Sequence, residues 1–283
     1  MAKIATIGFF DGVHTGHQYL FEQLHRLAQD RGLTPLIVTF DAHPRTVLQS
    51  DYIPQLLTTP EERKSRLSKY GEVLMLPFRD VQPLTAAQFM QRLHDDFEVS
   101  VLLMGYDHQF GSDRLRKTQD YKRIGAQCGV EVLTVNEFVD GELHVSSTEI
   151  RAALLTGNIA LANELLGRSY TLCGQVVHGK GIGHTIGFPT ANIVPDDPHK
   201  IIPKCGVYAA HVNTPTMDHA PAFVNIDRNK VIEAYIPSFK GDLYGQHLRL
   251  HFVQFLREEK HFASLEDLRE QIKADVDNIL RRE

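Results

Sequence analysis

Two kinds of hydrophobic pattern divide this chain, and the change between them fixes what it can fold into. In the first half, short apolar runs alternate with stretches whose apolar residues recur every three or four positions. The runs Lys3 to Gly8, Leu36 to Phe40, Val73 to Leu76, Val101 to Met104 and Glu131 to Val135 have the length and branched residues of buried strands. Between them, His17 to Arg31 puts Leu20, Leu24, Leu27 and Ala28 on one helical face and stops at Gly32. Thr85 to Phe97 does the same with Phe89, Met90, Leu93 and Phe97. Strand–helix alternation implies right-handed crossovers. It predicts an α/β half with a doubly wound parallel sheet, whose ligands bind at the carboxyl ends of the strands.

Ser147 to Gly167 reads as helical and connecting, with Gly157 and Asn158 dividing two short helices. After Tyr170 the candidate strands are Leu172 to Val177, Val207 to Val212, Phe223 to Ile226, Val231 to Ile236 and Leu248 to Phe255. Turn residues separate them and no long helix intervenes, which predicts an antiparallel β-barrel. A terminal α-helix follows Ser264, which can cap it, with Leu265, Leu268, Ile272, Val276 and Ile279 as its apolar stripe. The expected organisation is one domain over 1–155, a helical linker over 156–169 and a β domain over 170–283.

Composition narrows the partners. A length of 283 residues with 42% hydrophobic content suits two domains with real cores. The net charge of −5 argues against nucleic acid as the main partner. Cys128, Cys173 and Cys205 are odd in number and form no C-x-x-C pair, which argues against a disulfide framework or structural zinc. The first apolar stretch is too short for a signal peptide, and no run of about 18 apolar residues occurs, so no membrane span is expected. A cytoplasmic location fits these features. Oligomeric state is not readable.

Chemistry concentrates first after the opening strand, in Gly8-Phe9-Phe10-Asp11-Gly12-Val13-His14-Thr15-Gly16-His17. Glycines let backbone approach a phosphate, and the following helix start offers free N–H groups and a positive dipole end. His14 and His17, three apart, share one face of the first turn, where two imidazoles can donate to an α-phosphate as it becomes five-coordinate. A second cluster is His178-Gly179-Lys180-Gly181-Ile182-Gly183-His184, followed by Pro189-Thr190-Ala191-Asn192. The Thr190 hydroxyl and Asn192 amide carbonyl are hard oxygens suited to Mg²⁺ already held by ATP phosphates. Taken alone, Thr190 and Asn192 read equally as a turn after Pro189.

The first stretch resembles the G-x-F-D-G-x-H-x-G-H signature of the adenylyltransferase domain in bacterial bifunctional riboflavin kinase/FAD synthetases. Phe40-Asp41-Ala42-His43-Pro44 is similar to that family's F-D-P-H-P segment, and Gly105-Tyr106-Asp107-His108-Gln109-Phe110-Gly111 to its G-x-D-F-x-F-G segment. Ser146-Ser147-Thr148-Glu149-Ile150-Arg151 resembles S-S-T-x-I-R, and is also a plain helix cap. Pro189-Thr190-Ala191-Asn192 resembles the kinase signature, with Gly241-Asp242-Leu243-Tyr244-Gly245 and Arg257 to Phe262 following in order.

The resemblance implies that His14, His17 and Arg151 serve adenylyl transfer and that Glu233 is the kinase base toward the ribityl hydroxyl. It further implies that Gly8, Phe9, Asp11, Gly16, Asp41, Asp107, Ser147, Thr148, Gly179, Lys180, Gly181, Gly183 and Asn225 bind nucleotide or flavin. Substrates would be ATP, riboflavin and FMN, with Mg²⁺ as the ion. Two departures stand out. His184 replaces the usual arginine, and Asn225 to Lys230 runs straight into the Glu233 strand where the family has a longer N-I-G-x-R-P-T loop. A second reading therefore stays open, an FMN adenylyltransferase whose barrel binds flavin without phosphorylating it. A third is a flavin or nucleotide binder with no activity.

Overall fold

The computed structural model describes residues 1–283 apart from 107, 137, 139–143, 180–182, 184–186, 238, 261, 263 and 281–283, and apart from the side chains of 268 and 277–280. The chain divides into two compact units, Met1–Ser147 and Thr148–Glu283.

In the first unit, strands β1 (Lys3–Ile7), β2 (Thr34–Phe40), β3 (Glu72–Leu76), β4 (Val99–Met104) and β5 (Glu131–Thr134) form one sheet. Its order is β3-β2-β1-β4-β5, and every pairing is parallel. Side chains alternate across it, so each face gathers its own core. Ala5, Ile7, Leu36 and Val38 pack on one side with Phe89, Met90 and Leu93 of the helix Ala86–Phe97. Ile4 and Ile37 pack on the other with Phe21 and Leu24 of helix α1 (Thr15–Arg31). Gly32 ends α1 at φ 65°, the left-handed cap that glycine adopts without a Cβ clash. The chain reverses its direction of winding at β1, between β1 and β4. Doubly wound sheets bind ligands in the crevice that this reversal opens.

The second unit closes six strands into a barrel. They are β6 (Tyr170–Val177), β7 (Thr190–Pro195), β8 (Gly206–Asn213), β9 (Ala220–Ile226), β10 (Ile232–Tyr235) and β11 (His247–Arg257). The order is β10-β7-β6-β11-β8-β9, antiparallel throughout. Leu172, Val212, Val224, Ile226, Ile232, Leu248, Leu250 and Phe252 are buried along it. The segment after Pro189, which taken alone also reads as a turn, is a strand. Thr190 to Pro195 pairs with both β6 and β10, and alternates half-buried with buried residues up to Ile193.

Other differences are local. The expected pair of helices is Ser147–Thr156 and Ile159–Leu166, with Gly157 between them at φ 84°. The terminal helix, Leu265–Leu280, is capped as expected by the Ser264 hydroxyl, which accepts from Asp267 N at 3.1 Å. Leu265, however, is exposed rather than part of a buried stripe. The segment after Asn225 closes as a tight turn. Lys230 N donates to the Asp227 carbonyl, and Val231 N to Asp227 Oδ1 at 2.8 Å, with Lys230 at φ 63°.

Candidate active sites

The loop after β1 carries the first site. His14 is the N-cap of α1, and its Nδ1 accepts from His17 N at 3.3 Å. An Nδ1 that accepts carries no proton, so the neutral ring holds its proton on Nε2 and is a donor there. The His17 ring stacks on that of His14, with centroids 3.5 Å apart and planes 19° from parallel. The two imidazoles form one surface at the start of the helix, where the dipole is positive. A Cβ on Gly16 would stand 3.4 Å from the His14 ring, an ordinary van der Waals contact. Phe10 and Val13 sit at φ 54° and 45°, a conformation that a β-branched residue such as Val13 adopts only when its surroundings impose it.

Asp11 supplies that constraint. Its buried carboxylate accepts from Leu57 N, Thr58 N and the Thr58 hydroxyl at 2.9 to 3.1 Å. Thr58 Oγ1 in turn accepts from Gly12 N at 3.0 Å. The Asp11 carboxylate thus ties the loop to residues 57–58 and is saturated from within the protein. The Ser147 hydroxyl donates to the Asp11 carbonyl at 2.9 Å, and Thr148 and Arg151 follow in the first turns of that helix. Asp41, just past β2, accepts from Ala42 N and Phe78 N. Gly8 N donates to the Val38 carbonyl at 3.0 Å. Phe9 lies edge-on to His43, 4.8 Å between centroids. Asp107 lies outside the described residues.

One residue here escaped the sequence reading. Arg63, in the helix Pro60–Leu67, is fully buried. Its Nη2 donates to the Phe40 carbonyl at 2.6 Å, and its guanidinium lies 4.0 Å from the Phe9 ring centroid. Burial pushes its pKa below the usual arginine value, opposed by the charges of Asp11, Glu61 and Asp41. Within the run Pro-Glu-Glu-Arg-Lys-Ser-Arg-Leu it reads as one more solvated charge.

In the barrel, register gathers the second site. Asn192 on β7 pairs with Glu233 on β10, and Glu233 pairs with Asn225 on β9. Directly paired residues share a sheet face, so these three side chains line up across neighbouring strands, all half-buried. Thr190, two residues before Asn192, shares the face and pairs with Tyr235. Two glycines make room for them. A Cβ on Gly179 would fall 2.0 Å from Asn192 Nδ2, and one on Gly183 would fall 2.3 Å from the Phe188 carbonyl and 3.1 Å from Thr190 Oγ1. Lys180, Gly181 and His184 lie outside the described residues.

Two cavities meet at this row. One, about 310 Å³, is lined by Phe188, Thr190, Phe223, Tyr235, Phe262 and Ile272 among others. The second, about 570 Å³, is lined by His178, Gly179, Asn192, Asp227 and Lys230 among others. Asn225, Glu233 and Glu259 border both. Glu259, within the Arg257 to Phe262 segment, is thus a wall of the site. Arg257 and Asp275, paired at 2.7 Å, close the first cavity between β11 and the terminal helix. Burial pushes the Tyr235 hydroxyl pKa up. Among the described residues, no three His, Cys, Asp or Glu side chains gather as a metal cage.

Known proteins agree with both halves. The FAD synthetase family model matches residues 1–149 and the riboflavin kinase model residues 166–282. A bifunctional riboflavin kinase/FMN adenylyltransferase of Buchnera aphidicola is 32% identical, covering 97% of this chain and 91% of its own length. Its Escherichia coli K12 counterpart is 34% identical over 96% and 90%. A Streptococcus pneumoniae crystal structure, described as a macrolide-efflux protein, superposes with a TM-score of 0.88 at 31% identity, covering 98% of this chain and 93% of that one. In the present structure no helix, among the described residues, is long and apolar enough to cross a membrane. A loop bearing stacked histidines, a barrel face bearing Asn192, Glu233 and Asn225, and matches across nearly the whole chain place this protein in the bifunctional riboflavin kinase/FMN adenylyltransferase family.

Proposed function

We propose that this chain makes FAD in two ATP-dependent steps, riboflavin to FMN in the barrel unit and FMN to FAD in the N-terminal unit. The observation that carries the first step is the position of Glu233, on the border of both cavities and flanked in register by Asn192 and Asn225. The aromatic-lined cavity suits the flavin ring. The other, open to His178 and Lys230, suits the nucleotide. In this reading the Glu233 carboxylate accepts the ribityl hydroxyl proton as that oxygen bonds the γ-phosphorus and ADP leaves.

Gly179, Lys180, Gly181 and Gly183 would follow the ATP phosphates. The Thr190 hydroxyl and Asn192 amide oxygen, on one strand face with Thr190 at the first cavity and Asn192 at the second, fit a Mg²⁺ that takes its other ligands from phosphate and water. When bound, that ion neutralises phosphate charge.

In the second step an FMN phosphate oxygen attacks the α-phosphorus of ATP and pyrophosphate leaves, so no proton need move. The His14–His17 surface donates hydrogen bonds to the α-phosphate as charge builds on it. Gly8, Phe9 and Gly16 shape the loop, and Asp11 holds it. Asp41, Asp107, Ser147, Thr148 and Arg151 complete the nucleotide and flavin contacts. Residues 1–155, 156–169 and 170–283 are the corresponding domain, linker and domain. Composition and charge support cytoplasmic residence without a nucleic-acid partner.

The closed turn Asp227 to Val231 favours a second reading, adenylyl transfer alone, because no long loop follows Asn225 to cover the cavities. One assay separates the readings. Protein incubated with riboflavin, ATP and Mg²⁺ is expected to yield both FMN and FAD by chromatography. FAD from supplied FMN, with riboflavin left unphosphorylated, selects the second. Glu233→Gln is expected to lower FMN formation about 100-fold or more while sparing FAD synthesis from FMN. An unchanged kinase rate removes Glu233 from its role.

A further inference from the structure

Arg63 is a cation with no counter-ion. It is fully buried, and among the described residues no carboxylate lies within ion-pair distance of it. Two of its three nitrogens, Nε and Nη1, have no hydrogen-bond partner. Burying an unpaired charge costs several kcal/mol, and an apolar residue of similar size is normally the more stable choice. Of the three acids whose fields reach it, Glu61 is exposed to solvent and the other two are engaged elsewhere. Asp11 is held by Leu57 and Thr58, and Asp41 by the backbone N–H groups of Ala42 and Phe78.

The placement of this charge is specific. The guanidinium lies against the ring of Phe9, the residue after Gly8, and bonds the carbonyl of Phe40, the last residue of β2. It therefore sits beneath the loop that leads to His14, at the carboxyl edge of β1 and β2. A charge in a poorly screened interior projects its field further than one at the surface.

We propose that Arg63 is a positioning residue for adenylyl transfer, which supplies a fixed positive charge beneath the β1–α1 loop for the polyphosphate of ATP and for the departing pyrophosphate. It acts through the Phe9 ring and the field it projects, without touching substrate. This rests on the adenylyltransferase reading of the His14–His17 site.

The bifunctional chain carries its own control, since riboflavin phosphorylation reports on an intact barrel in the same sample. Full-length Arg63→Met is expected to raise the KM for ATP in FMN adenylylation about tenfold or more, and to weaken binding of magnesium pyrophosphate to match, with riboflavin phosphorylation within about twofold of wild type. Arg63→Lys is expected to lie near wild type at pH 6.5 and to drift toward the Met variant as the pH rises to 9. A buried ammonium can lose its proton, whereas a guanidinium keeps it. A purely structural role would give neither this pH profile nor a selective change in phosphate affinity.

Equal ATP KM values for Lys and Met variants at every pH, or an unchanged KM in Arg63→Met, would overturn the proposal. If the Met variant loses its N-terminal fold, the Lys pH profile decides together with the wild-type Arg63 Nε NMR signal, which must shift on adding magnesium pyrophosphate. A signal that does not move overturns the proposal. If wild type forms no FAD from FMN, the adenylyltransferase reading itself has failed.

Discussion

At the scale of single residues, the two sites use their carboxylates in opposite ways. Glu233 borders two cavities, whereas Asp11 spends its oxygens on Leu57 and Thr58. Both were readable as candidates from sequence. Their difference was not, because it depends on partners that sit 46 and 47 positions away from Asp11. Asp11→Asn turns one acceptor into a donor that faces backbone N–H groups. It is expected to cost about 1–3 kcal/mol of stability in the N-terminal unit. Loop misplacement is also expected to slow FAD synthesis from FMN, by about tenfold or more, while riboflavin phosphorylation continues. Thermal unfolding and paired assays on one sample check both. Full FAD synthesis in a folded variant would show that the clamp is not needed to hold the loop.

At the scale of elements, the strands of the sheet were legible because both faces are buried and the runs are continuously apolar. β7 was not. Its Thr190 and Asn192 face the site, and Pro195 ends it, so only Ala191 and Ile193 carry a core signal. Function here removed the hydrophobic pattern by which a strand is recognised. The crossover helix Thr118–Gln127 was missed for a related reason, since it buries only Tyr121, Ile124 and Gly125. The helix Pro60–Leu67 did carry a signal in its capping box, Thr59 with Glu62, and in Pro60 at its first position.

Barrel strand β8 offers a test of its packing. Tyr208 is fully buried, donates its hydroxyl to the Lys204 carbonyl, and has its pKa pushed up by burial. A tyrosine that stays protonated in the fold, yet ionises near pH 10 when unfolded, contributes stability below that pH that is lost as the pH rises beyond it. Tyr208→Phe is therefore expected to be about 1 kcal/mol less stable at pH 7, with the gap to wild type closing above about pH 10. Denaturant titrations at several pH values read this out. A gap that widens with pH would be the wrong sign for a buried neutral phenol.

At the scale of the whole molecule, each compact unit holds its own core, and the family models divide the chain in the same sense. His14 and His17 belong to the first unit, while Glu233, Asn192 and Asn225 belong to the second. If both steps run in complete, separate sites joined only by FMN, defects in the two should complement between molecules. A chain carrying Glu233→Gln keeps the adenylyltransferase, and one carrying His14→Asn with His17→Asn keeps the kinase. Neither alone is expected to turn riboflavin into FAD at an appreciable rate. Their equimolar mixture should do so after a lag in which FMN accumulates, and the lag should lengthen on dilution because FMN must build up in solution before it is used. Chromatography of timed samples follows riboflavin, FMN and FAD together. Failure of the mixture, with each variant keeping its remaining half-reaction on supplied substrate, would mean that FMN reaches the second site only within the chain that made it.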